Sequence, residues 1–102
     1  MQRQDYIERM IQQVARAIAA ALGFAEAGDA ERAKEDLRST WTSFVGVRRE
    51  DLARVDATTA RALLGDRREL ALRLLEAEAK LGDDEAARLR AILSGDAAGE
   101  RA

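Results

Sequence analysis

The chain has 102 residues, 47% of them apolar but only four aromatic, and its 17 basic and 19 acidic side chains leave a net charge of −2. One domain of this size closes around a single core, and a core so poor in aromatics has to be built from Leu, Ile, Val and Ala on closely spaced helices. The absence of His and Cys excludes imidazole and thiolate chemistry, and charges interspersed along the chain argue against a strong electrostatic claim on nucleic acid or anionic membrane.

From Asp5 to Ala27, residues Ile7, Met10, Ile11, Val14, Ile18, Ala21, Leu22 and Ala25 recur at helical spacing. At about 100° per residue they fill one arc, with Glu8, Arg9, Gln12, Gln13 and Arg16 opposite, which predicts a long amphipathic helix. Asp5 and Glu8 read as its capping pair and Gly28 as its stop. Arg3, Asp5, Glu8 and Arg9 interrupt the apolar stretch that a signal peptide needs. The later run "AIAAALGFA" is too short to span a membrane. The expectation is a cytoplasmic protein with no membrane partner.

Asp29 caps a second helix that carries Ala30, Ala33, Leu37, Trp41, Phe44 and Val45 on one face and ends at Gly46. So short a connection makes the two helices an antiparallel hairpin. Across residues 47–65, "DLARV" makes one helical turn and "DATTARALLG" a short helix capped by Asp56 and stopped by Gly65. Asp66 and Glu69 form another capping pair, opening a helix to about Leu81 that the i,i+4 pairs Glu69–Arg73 and Glu76–Lys80 support. Gly82 stops it, and Asp83 or Asp84 starts a last helix that buries Ala86, Leu89, Ile92 and Leu93 and ends near Ser94. The tail "GDAAGERA", residues 95–102, has no large apolar residue and reads as disordered. The prediction is a single all-α domain over residues 1–94, with about five helices in two antiparallel helical hairpins joined by a short-helix segment.

The two inter-helix turns echo each other, with Gly28, Asp29, Glu31 and Ala33 at the same offsets as Gly82, Asp83, Glu85 and Ala87. Each feature has a local cause: Gly ends a helix, Asp caps the next, Glu suits its positive first turn, and Ala lets helices approach. The stretch "FAEAGDAERAKEDL" resembles the inter-helix turn of a tetratricopeptide repeat, with Phe24, Gly28, Ala33 and Leu37 in the motif's places. At the second turn only Gly82 and Ala87 match. The resemblance implies a tetratricopeptide-like bundle, while a separation of 54 residues between the glycines, 82 − 28, and the lack of Pro speak against a solenoid. "RQDYIERMI", then an Ala-rich helix, a Gly-Asp turn and a second helix ending near "FVGV", is also similar to an uncharacterised bacterial family of short all-helical proteins, a domain of unknown function. That likeness implies a fold and no catalytic residues.

No chemical signature stands out. A helical di-metal site needs acids converging with Glu-x-x-His pairs, and there is no His; Glu31, Glu35, Asp84 and Glu85 fall on solvent faces. Ser39, Ser43 and Ser94 have no activating base, and the glycines stand singly at helix ends rather than in a phosphate-cradling loop. The reading is therefore no catalytic, cofactor-binding or metal residues and no cofactor. Seven Arg between Arg48 and Arg73 face five acids, a mixed-charge surface from which no nucleic-acid binding is expected.

What remains is interaction. Trp41 and Phe44 share a core stripe with Leu37, which favours a structural role, whereas Tyr6 sits at the edge of its arc. Ala19 and Gly23 would permit a close helix crossing in a homodimer. Glu78 is a charge inside an unusually wide apolar arc, so it is either buried against an Arg from a neighbouring helix or lines a groove. The expected function is a non-enzymatic module that binds a protein or peptide segment in a groove between its hairpins, with Tyr6, Leu72, Leu75 and Glu78 as candidate partner-binding residues. The alternative is a homo-oligomeric structural or regulatory protein that uses the same surface on itself.

Overall fold

The computed structural model of the chain describes residues 2–95, with side chains described from Asp5 onward. Every regular element among these residues is helical. α1 (Gln2–Glu26) and α2 (Ala30–Phe44) form the first hairpin. Two short helices, α3 (Arg49–Ala53) and α4 (Ala57–Leu64), and a 3-10 turn at Gly65–Arg67 lead to α5 (Arg68–Lys80), which pairs with α6 (Asp84–Ser94) in the second hairpin. Of the tail expected over 95–102, everything beyond Gly95 lies outside the described residues.

Both hairpin turns are built by the same bonds. Gly28 and Gly82 take φ of +96° and +97°, a conformation that a Cβ would strain. The N–H of Asp29 donates to the Phe24 carbonyl at 2.8 Å and that of Asp83 to the Glu78 carbonyl at 3.2 Å; the glycine N–H groups donate to Ala25 and Ala79, both at 3.0 Å. This double closure satisfies the last carbonyls of the outgoing helix. The Asp29 and Asp83 carboxylates then accept the N–H groups of Arg32 and Ala86 at 3.2 and 3.0 Å, capping the incoming helices as expected.

α5 is the central element. It packs against α1, α2, α4 and α6 and buries Leu70, Ala71, Leu74, Leu75, Ala77 and Glu78. Its wide apolar arc is thus covered on several sides, as its pattern requires. Each of its fully buried leucines contributes about 1.5–3 kcal/mol relative to exposure. Trp41 is 4% exposed, and its indole N–H donates to the Val47 carbonyl at 2.8 Å, so its ring is core and its polar edge ties α2 to the following loop.

Four details depart from the sequence expectation. α1 already begins at Gln2, which places Asp5 in the first turn, where an acid suits the positive end of the helix, and not at the cap. α5 begins at Arg68 after the 3-10 turn, with Arg67 rather than Asp66 at the cap position and no cap bond from the Arg67 side chain. Glu69 and Arg73 pair at 3.0 Å, but Glu76 and Lys80 make no ion pair among the described residues. Ile92 is only half-buried, while Leu89 and Leu93 carry the core face of α6.

Of the seven arginines from Arg48 to Arg73, four are partly buried, Arg49, Arg61, Arg67 and Arg68, and three, Arg48, Arg54 and Arg73, are exposed. Arg67 Nη1 donates to the Phe44 carbonyl at the end of α2 at 2.7 Å. Arg61 Nη1 and Arg68 Nε donate to the Ile92 and Leu93 carbonyls at the end of α6, at 3.0 and 2.9 Å. Cations at these places satisfy orphan carbonyls and oppose the negative helix ends. In α4 the Asp56 cap accepts the backbone N–H of Thr59 at 2.7 Å, which holds its carboxyl below the usual carboxylate range.

Candidate functional site

The residues of α2 that follow the core stripe define one wall of a cleft. Because Leu37 and Trp41 point inward, Arg38 and Thr42, one residue further on, emerge beside the core face rather than within it. Gly46, at φ +83°, then redirects the chain so that Arg48, Arg49 and Glu50 at the start of α3 form a second wall. Glu85, in the first turn of α6, completes the lining. The open cleft they line has a volume of about 390 Å³. An adjoining notch of about 90 Å³ is lined by Trp41, Thr42, Gly46, Val47 and Arg48. The cleft therefore lies between the two hairpins, with the bridging segment at its side.

Behind this cleft is the buried charge that the sequence singled out. Glu78 is 3% exposed, and its Oε1 accepts a hydrogen bond from Arg49 Nη1. Arg49, whose side chain is 10% exposed, also approaches Asp83 at 3.8 Å and lies over Trp41 with its guanidinium carbon 5.2 Å from the ring centroid. Arg38 Nε stands 3.9 Å from the same Glu78 oxygen. Arg49 Nη2 and Glu78 Oε2 make no hydrogen bond, so the pair meets end-on and not as the bidentate fork that arginine and carboxylate can form. Removing either partner would strand a charge in the core, whereas the intact pair joins α3 to α5 and, through Asp83, to the second turn.

The four residues expected to meet a partner are scattered by the fold. Tyr6 is 52% exposed on α1, far in sequence from the cleft. Leu72 is half-buried against the core. Leu75 and Glu78 lie inside it, so neither offers a surface to a partner unless the fold opens. Glu78 is the buried carboxylate held by an arginine, not a groove-lining acid. Ala19 and Gly23 are exposed, with open space at the Gly23 Cβ position.

Sequence reasoning missed Arg38, Arg48, Arg49, Glu50 and Glu85. The one signal was the carboxylate in a wide apolar arc, which demands a cation from a neighbouring helix without saying which arginine supplies it. Among the described residues no group of acids is arranged to hold a metal ion, and no helix is long and apolar enough to cross a membrane. No protein-family model, curated protein sequence or solved structure matches the chain.

Proposed function

We propose that this protein is a non-enzymatic helical interaction module that takes a segment of a partner protein in the cleft between its hairpins. The observation that carries this reading is the state of the cleft's rim. The side chains of Arg38 and Arg48 are 62% and 76% exposed, have ion pairs only at 3.9 and 4.0 Å, and make no hydrogen bond among the described residues. Donors so placed, beside a concavity whose back wall is fixed by the Arg49–Glu78 pair, suit recognition of another chain. The cations that would be needed along a phosphate backbone are spent elsewhere, because Arg61, Arg67 and Arg68 bind helix-terminal carbonyls. The tetratricopeptide-like character of the first turn supports the same reading, since such hairpins present inter-helix grooves.

The rival, self-association, has its own observation in the exposed Ala19 and Gly23 on α1. A photo-crosslinking amino acid introduced at Thr42, in the cleft, or at Ala19, on α1, separates the two in cells that produce the protein. Binding in the cleft gives adducts from Thr42 whose added mass is not that of a second copy. Adducts from Ala19 alone, at twice the chain's mass, would replace this reading with the oligomer.

A further inference from the structure

Resting on the reading that the cleft holds a partner segment, we infer that the segment carries charges of both signs, an acidic residue for Arg38 and Arg48 and a basic residue for Glu85, flanking a small apolar side chain. The charge balance of the lining decides this. Glu78 is consumed by Arg49, and Asp83 is engaged by the Ala86 N–H and stands 3.8 Å from Arg49. That leaves two cations, Arg38 and Arg48, and two anions, Glu50 and Glu85, to face an occupant.

A phosphate dianion would meet Glu50, 4.0 Å from Arg48, and Glu85 across the cleft. Its attraction to the arginines is offset by the two free carboxylates of the lining, Glu50 and Glu85. A purely cationic occupant meets the same difficulty with the signs reversed. An occupant that places its own carboxylate on the α2 and α3 walls and its own cation on the α6 wall satisfies both. Each arginine offers five N–H donors in a planar fork suited to a carboxylate.

The adjoining notch selects the residue between the charges. Lined by Trp41, Thr42, Gly46, Val47 and Arg48, it exposes mainly apolar surface, and about 90 Å³ leaves room for a small side chain but not for an aromatic ring. A free zwitterion would find the same charges, but the rim is too open to bury most of a small molecule, as the exposure of Arg38 and Arg48 shows. A polypeptide adds contacts on either side of the cleft.

The test is selection of a random-peptide phage library on the full chain, followed by titration of the enriched peptides against it with fluorescence of Trp41, its only tryptophan, as the readout. The expected winners contain an Asp or Glu and a Lys or Arg around a small apolar residue. Amidating the acid should weaken binding at least about tenfold, as should Arg38→Gln with Arg48→Gln, a pair of exposed substitutions whose folding is checked by circular dichroism. Glu85→Lys should shift preference away from basic residues. Winners without charge preference, bound equally by the Arg38→Gln/Arg48→Gln variant, would overturn this inference and leave the interaction module standing. A response to free glutamate or inorganic phosphate as strong as to the peptides would overturn the choice of a segment. No enriched peptide at all would count against the module itself.

Discussion

The two hairpin turns have the same backbone and different neighbourhoods. From Gly28 and from Gly82, the offsets of the closing bonds and of the Asp cap are identical. The side chains diverge at once. Phe24 and Glu78 hold the same place, four residues before the glycine. The first is a half-buried ring under the Arg32 guanidinium, 4.2 Å away, and the second is a buried carboxylate on Arg49. Five residues after the glycine, Ala33 is fully buried but Ala87 is exposed, and Ala86 takes its place in the core. The second helix of the second hairpin thus presents a different face to the core, its buried residues falling one to two positions closer to the glycine than those of α2.

The difference follows from where the large residues fall. Beyond its first turn, α2 has Leu37 and Trp41 nine and thirteen residues past its glycine, and α6 has Leu89 and Leu93 seven and eleven past its own. Burial follows the leucines, not the turn. The echo is a shared device for reversing the chain, and it imposes no common packing register.

The largest expected effect lies in the first hairpin. Trp41→Ala removes its largest core side chain and the bond to Val47, and should lower stability by about 3–5 kcal/mol in chemical denaturation. A variant that melts within a few degrees of the parent would show that the ring is not core. Next comes the register itself. Ala33→Leu overpacks a closed position and should cost about 1–3 kcal/mol. Ala87→Leu, at the same offset from its glycine, should stay within about 0.5 kcal/mol. Equal costs would mean that the two turns share a packing register after all.

The caps should behave alike. Asp29→Ala and Asp83→Ala each remove one acceptor from a helix start and should each cost about 1 kcal/mol, with Asp83 the larger because it also faces Arg49. The smallest effect is a pH dependence in the bridging segment. The Asp56 carboxyl is held below the usual carboxylate range by the Thr59 N–H, so its contribution is present above the unfolded value and lost as pH falls through the folded one. Asp56→Asn keeps an acceptor at the cap and should flatten that acidic part of the melting profile; an unchanged profile would assign it to other carboxylates.

Much of the architecture was legible because it is written locally. Helix periodicity, the glycines at positive φ and the caps at Asp29, Asp56 and Asp83 each follow from a few adjacent residues. The start of α5 was not legible in the same way, since Asp66 and Glu69 look like a capping pair while the chain enters the helix through a 3-10 turn. The cleft was less legible still. Its walls come from α2, the start of α3 and α6, and only the demand of Glu78 for a cation hinted that they meet. Nothing in the spacing of Arg49 names Glu78, 29 residues away, as its partner.

That pair is what makes the second turn differ most from the first, and it fixes the back wall of the cleft. A double-mutant cycle with Glu78→Leu and Arg49→Met, followed by chemical denaturation at neutral pH, measures it directly. Each single change leaves one buried charge with only its more distant partner, Arg38 for Glu78 or Asp83 for Arg49, and should cost about 3 kcal/mol, while the double variant, apolar on both sides, should recover most of that loss. Single losses that simply add in the double variant would show that Arg49 and Glu78 act independently, and the ion pair would not be the element that holds α3 against α5.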